Sequence, residues 1–333
     1  MKPRYLFPSD YMADPSANVF NGKLYIYPSH DREAGHAFDD DGGHFQMRDY
    51  HVLSFDDLEN GDVTDHGVIL DVDQVAWAEK QMWDNDVVEK DGKYYLIFSA
   101  KDYNGVFHLG VAVSDRPEGP FVPQEQPIRG SFSIDPCVFK DDDGEIYTYF
   151  GGLWGGQLQW YQPAARLQKE GIDLGPAADK KTQLFCPADV PALPSCVVRM
   201  SDDVLQFAEA PRPVIILDQH GDPLKAGDPH RFFEASWMHK YNGKYYFSYS
   251  TGDSHYLCYA IGDNPYGPFT YQGVILYPVV GWTTHHSIVE YKGQWYLCYH
   301  DCVPSNDITH LRSLKAQRLF YNEDGTIQRV VNE

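Results

Sequence analysis

The chain has 333 residues and carries 48 acidic against 27 basic side chains, which gives a formal net charge of −21. Because Lys and Arg form no block anywhere, nucleic acid is not an expected partner. No run of about 18 apolar residues is present, so we expect no membrane span, and one large all-β domain covering residues 1–333 fits the length. No apolar export signal precedes Asp10 and no CxxC pair occurs among six cysteines, so a cytoplasmic location is expected.

Five stretches repeat one pattern, in which a polar residue, alternating apolar residues, a Gly turn and an aromatic strand follow one another. In chain order they are ADPSANVFNGKLYIY from Ala13, DNDVVEKDGKYYLIFSA from Asp84, IDPCVFKDDDGEIYTYFGG from Ile134, FEASWMHKYNGKYYFSYS from Phe233 and HHSIVEYKGQWYLCYHD from His285. Two runs of period-2 hydrophobicity joined by a short Gly turn are typical of a β-hairpin.

A second strand, turn and strand follows each hairpin, beginning at His51, Ala112, Val197, Tyr259 and Arg312. Two hairpins make a four-stranded antiparallel unit, and five such units in sequence predict a single five-bladed β-propeller. The least strand-like segment, Gly155 to Cys196, interrupts the third unit, and a second irregular piece begins at Asp218. We expect both to be loops, and we expect such loops to wall a pocket.

The polar residue that opens each first strand lies eight or nine residues before the turn glycine. These residues are Asp14, Asp84, Asp135, Glu234 and His285. Innermost propeller strands line one central channel, so the five groups should converge on one face. Carboxyl groups held close together cannot all ionise freely, and one becomes a proton donor while another stays a base. Hydrolysis of a glycosidic bond requires that division of roles.

The segments around these acids, namely ADPSANVF, SIDPCVF, RFFEASW and THHSIVEYKG, together resemble glycoside hydrolase family 43 from about Tyr11 to Val331. The resemblance implies an inverting enzyme in which Asp14 is the general base and Glu234 the general acid. Asp135 would be the third carboxylate, which orients the acid and keeps its pKa high. Inversion in one displacement predicts that Asp14 and Glu234 lie roughly 6.5 to 9.5 Å apart, with the water between them.

The same resemblance suggests residues that bind the sugar. His285 matches a histidine near the channel axis that contacts the substrate or a calcium shell, although the pattern leaves open whether His285 or His286 faces the pocket. Arg312 matches an arginine that hydrogen-bonds the terminal sugar. On the second blade the family position is kept by Asp86, and it stays open whether Asp84 or Asp86 faces the centre.

Sugar rings stack on aromatic side chains, and Trp83 and Trp154 lie nearest the predicted acids. No cofactor is expected to be required, and a structural calcium near the axis, with His285 as a ligand, is the metal that the resemblance allows.

The function expected from the resemblance is exo cleavage of terminal xylose or arabinose from short hemicellulose oligosaccharides. Arabinanase activity, a retaining fructosidase and a non-catalytic carbohydrate-binding propeller are the alternatives. The chain length also leaves a homo-oligomer open.

Overall fold

Tight turns with a left-handed backbone build the repeated hairpins. The computed structural model describes residues 2–33, 35–161, 188–252 and 254–332. Both central turn residues have positive φ in four of the five hairpins, at Asn21-Gly22, Asp91-Gly92, Asn242-Gly243 and Lys292-Gly293. This backbone matches the twist of antiparallel strands and favours Asn, Asp and Gly. The turn chemistry therefore fixes where each first hairpin reverses.

The described strands have the following bounds. They are β1 (Arg4–Tyr5), β2 (Met12–Phe20), β3 (Lys23–His30), β4 (Asp49–Phe55), β5 (Val63–Asp71), β6 (Ala78–Lys80), β7 (Asn85–Lys90), β8 (Lys93–Asp102), β9 (Phe107–Ser114), β10 (Val122–Pro123), β11 (Cys137–Lys140), β12 (Ile146–Phe150), β13 (Cys196–Arg199), β14 (Arg212–Pro213), β15 (Ile216–Leu217), β16 (Phe232–Tyr241), β17 (Lys244–Thr251), β18 (Leu257–Gly262), β19 (Phe269–Leu276), β20 (His286–Tyr291), β21 (Gln294–Asp301) and β22 (Ser313–Leu319). Short 3₁₀ helices occur at Val72–Gln74, Trp154–Gly156, Leu158–Trp160 and Val303–Ser305.

Five sheets form the blades of a β-propeller, which confirms the predicted fold. From the inside outward, the first blade is β2-β3-β4-β5, the second β7-β8-β9-β10 with β6 also on β8, and the third β11-β12-β13-β14. The fourth is β16-β17-β18-β19-β15 and the fifth β20-β21-β22-β1. The innermost strands contact one another in the ring β2, β7, β11, β16 and β20. Their first residues therefore surround one end of the channel.

The fifth blade departs from the predicted pattern. The stretch from Arg312 was expected to form a complete outer hairpin, but only β22 joins the blade. Its outer neighbour is β1 from the opposite end of the chain, with Arg4 opposite Ala316 and Tyr5 opposite Lys315. A strand far away in sequence thus occupies the edge that a local strand was expected to fill.

The fourth blade also differs, because it gains a strand from the third. The apolar run PVIIL was expected to end the third blade, but its residues Ile216–Leu217 (β15) pair in parallel with β19. This crossing ties the two blades together at their outer edges. Of the loop predicted from Gly155 to Cys196, residues 162–187 lie outside the described part of the chain.

Aromatic side chains fill the space between the blades. The largest side chains that are almost completely buried include Tyr27, Tyr149, Tyr249, Phe98 and Phe150. Rings of this size bury much apolar area, and the tyrosine hydroxyls still need partners. Tyr27 donates to the carbonyl of Pro117 and Tyr149 to the carbonyl of Pro265, each contact joining two blades. Among the described residues, no helix has the length and apolar character needed to cross a bilayer.

Candidate active site

One cavity of about 760 Å³, counted to its open mouth, lies where the inner strands begin. Each blade contributes the polar residue that the sequence pattern singled out. The cavity is lined by Asp14, Asp84, Asp135, Glu234 and His285, together with Arg312, Trp83 and Trp154. The five polar residues converge on one face because each lies at or just before the start of an innermost strand.

Backbone irregularities turn the acidic side chains inward. Asp14 and Asp135 have φ of 51° and 59°, and Ala235, which follows Glu234, has φ of 60°. The pairing register shifts between Ala13 and Ser16 and on both sides of Glu234. Left-handed backbone at residues other than glycine costs on the order of 1–3 kcal/mol and is concentrated at functional sites. The bulges re-aim side chains that regular pleating would direct elsewhere.

Asp14 is held on both carboxylate oxygens. Its Oδ1 accepts a hydrogen bond from Arg312 Nη1 at 2.7 Å, and its Oδ2 accepts one from Ser29 Oγ at 2.5 Å. Burial raises the pKa of Asp14 to about 6, although the Arg312 charge acts in the opposite direction. The carboxylate is therefore ionised at neutral pH and fixed in orientation.

Asp31 fixes the arginine in turn. Its two oxygens accept from Arg312 Nε at 2.8 Å and from Nη2 at 2.7 Å, which is a bidentate pair. Asp31 also accepts the backbone N–H of Arg312 at 2.8 Å. The sequence analysis missed Asp31, because nothing in the hairpin repeat marks it.

The contact of Arg312 with the sugar stays a prediction, and Arg312 does line the cavity. The remaining described partners of the guanidinium are Thr283 Oγ1 at 3.2 Å and Met47 Sδ at 4.0 Å. A thioether sulfur is a weak acceptor, so these protein contacts do not use the five N–H donors of Arg312 fully. Arg312 therefore both borders the cavity and holds Asp14.

His285 forms an ion pair with Asp84 inside the cavity. The two atoms His285 Nδ1 and Asp84 Oδ1 are 2.7 Å apart, and Asp14 Oδ1 lies 4.0 Å from the same nitrogen. Burial opposes a charge on His285, but the neighbouring carboxylates outweigh it and raise its pKa. Burial likewise opposes ionisation of Asp84, yet His285 and a hydrogen bond from Asp135 lower its pKa well below the usual range. His286 faces the other way, with its Nε2 2.6 Å from Ser248 Oγ.

Glu234 is the carboxyl group best suited to donate a proton. Burial first, and then the negative charge of Asp84, raise its pKa to about 8. Burial and the charge of Asp84 also raise the pKa of Asp135 well above its usual value. The Oδ2 of Asp135 accepts the N–H of Ala235 at 2.7 Å, which fixes the backbone next to Glu234.

Asp86, which the sequence analysis named as a sugar-binding residue, does not line this cavity. It is completely buried farther along β7, where its carboxylate accepts from Asn18 Nδ2 at 2.8 Å and from the N–H of Val138 at 2.7 Å. The neighbouring Asp84 takes the cavity position instead, in the break between β6 and β7. Asp86 thus joins three blades and has no route to a sugar.

Comparison with known proteins decides the family. The family model described as "Glycosyl hydrolases family 43" matches residues 9–191. A β-xylosidase of Xylanibacter ruminicola is 69% identical over 331 residues, which cover 99% of this chain and 100% of the relative. The chain belongs to glycosyl hydrolases family 43. It is therefore a glycoside hydrolase of an inverting family.

Two further family 43 proteins show how far the likeness extends. A xylosidase/arabinosidase of Bacteroides ovatus is 61% identical and covers 97% of this chain and 96% of its own. The solved structure of a β-xylosidase/α-arabinofuranosidase from a compost microbial metagenome, in complex with xylotriose and in a calcium-free form, has a TM-score of 0.93. It is 56% identical and covers 99% of this chain and 97% of its own.

Aromatic side chains form the upper walls of this family 43 pocket. Trp83 donates its indole N–H to the carbonyl of Phe45 at 3.0 Å, whereas the buried indole nitrogen of Trp154 has no hydrogen-bond partner among the described residues. The analysis of the sequence missed Trp282, whose ring centroid lies 6.0 Å from that of Trp154. Trp282 comes three residues before His285, and that proximity was the signal available.

Loops from two blades meet above the second blade. A Cβ placed on Gly155 would lie 2.4 Å from the carbonyl oxygen of Asp41, so only glycine permits this approach. The contact brings the first-blade loop against the loop that carries Trp154. The pocket is therefore closed on the side above the second blade.

Asp14, Asp84 and His285 also form a candidate metal site. One ligand atom from each lies within 4.8 Å of the others. Calcium takes six to eight oxygen ligands, whereas this set offers two carboxylates and one imidazole. Asp14 is already held by Arg312. The described side chains can thus supply only part of a calcium shell, and water would have to complete it.

Proposed function

We propose that this family 43 chain is an exo-acting enzyme that releases terminal β-xylose from short xylo-oligosaccharides and also accepts terminal α-L-arabinofuranose. One observation carries the proposal. The two carboxyl groups in the one cavity, Asp14 with a pKa of about 6 and Glu234 with a pKa of about 8, have opposite protonation states at neutral pH. A base and an acid are then available together.

In the proposed mechanism Asp14 takes a proton from the attacking water, and Glu234 gives its proton to the leaving oxygen. Arg312 and Ser29 hold the Asp14 carboxylate so that one orientation faces the water. The predicted separation of roughly 6.5 to 9.5 Å between Asp14 and Glu234 belongs to this proposal. Asp135 supports Glu234 through the Ala235 backbone, and Asp84 supplies the charge that keeps Glu234 protonated.

The shape of the pocket supports exo rather than endo cleavage. Trp83, Trp154 and Trp282 stand around the carboxyl groups, and the contact between Gly155 and Asp41 blocks the passage above the second blade. A chain held at one end fits such a pocket, whereas an endo-acting arabinanase needs a groove that is open at both ends. The names of the relatives, a β-xylosidase and a xylosidase/arabinosidase, support the choice of sugars.

The decisive experiment follows the anomer released first. Proton NMR of a nitrophenyl β-D-xyloside digest, recorded before mutarotation, is expected to show α-xylose, because water attacks from the face opposite the leaving group. Initial β-xylose would contradict the roles given to Asp14 and Glu234. If no xylose is released but the matching arabinofuranoside is cleaved, the proposed preference for xylose is wrong.

A structural calcium near the axis stays part of the proposal, with Asp84 and His285 as the residues that would hold it. The acid and the base need no metal in this scheme. We expect a chelator to lower the melting temperature and calcium to restore it, while the chelated enzyme still turns over. An unchanged melting temperature would remove calcium from the proposal, and complete loss of turnover would show that a metal is required.

A cytoplasmic location is also proposed. In the described part of the chain, the cysteines Cys137, Cys196, Cys258, Cys298 and Cys302 are buried free thiols, which suits a reducing compartment. Cell fractionation with an activity assay tests this. The homo-oligomer and the absence of a nucleic-acid partner stay predictions of the sequence.

A further inference from the structure

A second cluster of metal-ligating side chains lies in the first blade, apart from the residues that line the pocket. His30 ends β3, and Asp49 and His51 stand two residues apart on β4, so that both project from one face of the strand. One ligand atom from each of the three lies within 4.8 Å of the others. The three side chains are between 10 and 21% exposed, which leaves limited access for solvent.

The geometry assigns this cluster as a site for a divalent transition-metal cation of the zinc type, with His30 Nδ1, His51 Nε2 and an Asp49 oxygen as ligands. The Asp49 Oδ1 atom lies 2.6 Å from His30 Nδ1 and 3.7 Å from His51 Nε2. Ligands at zinc distances on a tetrahedron are about 3.3 Å apart, and both distances lie within about 1 Å of that value. Two imidazoles and one carboxylate favour zinc over calcium or magnesium.

A carboxylate lies next to the outer ring nitrogen of each imidazole, as is typical of histidines that bind metals. His30 Nε2 lies 3.3 Å from Asp10 Oδ2, and His51 Nδ1 lies 3.0 Å from Asp65 Oδ1. Histidines that bind metals almost always donate their other ring N–H to such a group, which fixes the tautomer and aims the free nitrogen at the ion. Both imidazoles here are oriented in that way, toward the shared Asp49.

The charge balance of the cluster also favours a cation. Asp10, Asp49 and Asp65 supply three carboxylates against two imidazoles, so the cluster stays negative even if both rings are protonated. Arg48 interacts electrostatically with Asp49, but its guanidinium is paired with Asp73 and Asp71. Water can supply the fourth ligand from the solvent side of His30, which is the most exposed of the three ligand residues.

Calorimetric titration of the metal-stripped full chain with zinc chloride tests the assignment. We expect the double variant His30→Gln/His51→Gln to lose one equivalent of bound zinc relative to the wild type. His108→Gln is the matched control, because His108 also pairs with a carboxylate, 3.5 Å from Asp102, on the second blade. The Asp14, Asp84 and His285 cluster is intact in all these proteins, so any zinc held there cancels in the comparison.

A third variant keeps all three ligands and tests the carboxylate of Asp65, which orients the His51 imidazole. Asp65→Asn is expected to retain the stoichiometry and to weaken zinc binding by about 10- to 100-fold. Asp65→Asn also provides the test of the zinc site if the double variant does not fold. Equal zinc binding by the wild type and the double variant, or an unchanged affinity in Asp65→Asn, would overturn the assignment.

Discussion

Arg312 Nη1 lies 2.7 Å from Asp14 Oδ1, and through this contact the last blade fixes the carboxylate that begins the first. Both residues are almost fully buried. The arginine therefore acts on the proposed base by orientation and by charge. The two effects have different experimental signatures.

Arg312→Lys is expected to lower kcat by about 10²-fold, because lysine cannot hold Asp31 and Asp14 in one planar arrangement and small misplacements cost that much. Arg312→Ala should in addition raise the pKa of Asp14 above about 6, since the positive charge that lowers it is gone. The acidic limb of the pH profile then moves to higher pH. Arg318→Ala, which removes an arginine paired with Glu59 at the surface, is the matched control. An unmoved acidic limb would contradict the expected effect of the Arg312 charge on the pKa of Asp14.

The wild-type pH profile of kcat/KM should be bell-shaped, with limbs at about 6 and about 8. Activity rises as Asp14 loses its proton and falls as Glu234 loses its own. The two groups are coupled, so the limbs report apparent values for the pair. A profile that stays flat from pH 5 to 9 would rule out this assignment.

Asp84→Asn should move both limbs to lower pH, because the negative charge of Asp84 raises the pKa of Glu234 and of Asp14. Asp115→Asn removes an equal charge from the exposed surface of the same blade and should leave the profile in place. If Asp84→Asn leaves the upper limb near 8, burial alone sets the pKa of Glu234.

Glu234→Ala should lower turnover of xylobiose by about 10²- to 10⁴-fold and turnover of a nitrophenyl xyloside far less, because only the sugar leaving group needs a proton. Steady-state rates on both substrates provide the measurement. Equal losses on the two would exclude Glu234 as the acid.

Gly155→Ala should raise KM for xylobiose several-fold, since the added Cβ would lie 2.4 Å from Asp41 and push the two loops apart. Gly227→Ala creates a similar clash, 2.7 Å from the Ala188 Cβ, between two residues that do not line the cavity, and serves as the control. If KM rises equally in both variants, the wall above the second blade has no special part in binding.

The repeat allowed much of this site to be predicted. Hairpin turns and the spacing back from each turn glycine located Asp14, Asp135 and Glu234, because those signals are local. Asp84 and Asp86 could not be told apart, since residues two apart face the same way in a regular strand, and nothing in the sequence shows that β7 begins only at Asn85. Asp31 acts through a contact with Arg312, far away in sequence, and no short-range pattern encodes it. The only local signal for Trp282 was its position three residues before His285.

The pairing of β1 with β22 has a consequence for synthesis. Four blades can assemble as their strands leave the ribosome, but the fifth takes its outer strand from before the first blade and its other three strands from after the fourth. Strand β1 must therefore wait, unpaired, until β22 has been translated. Because β2 contacts β20, β21 and β22, the proposed base and the arginine that holds it come together only when the fifth blade closes against the first. A nascent chain should thus stay inactive until its last blade forms.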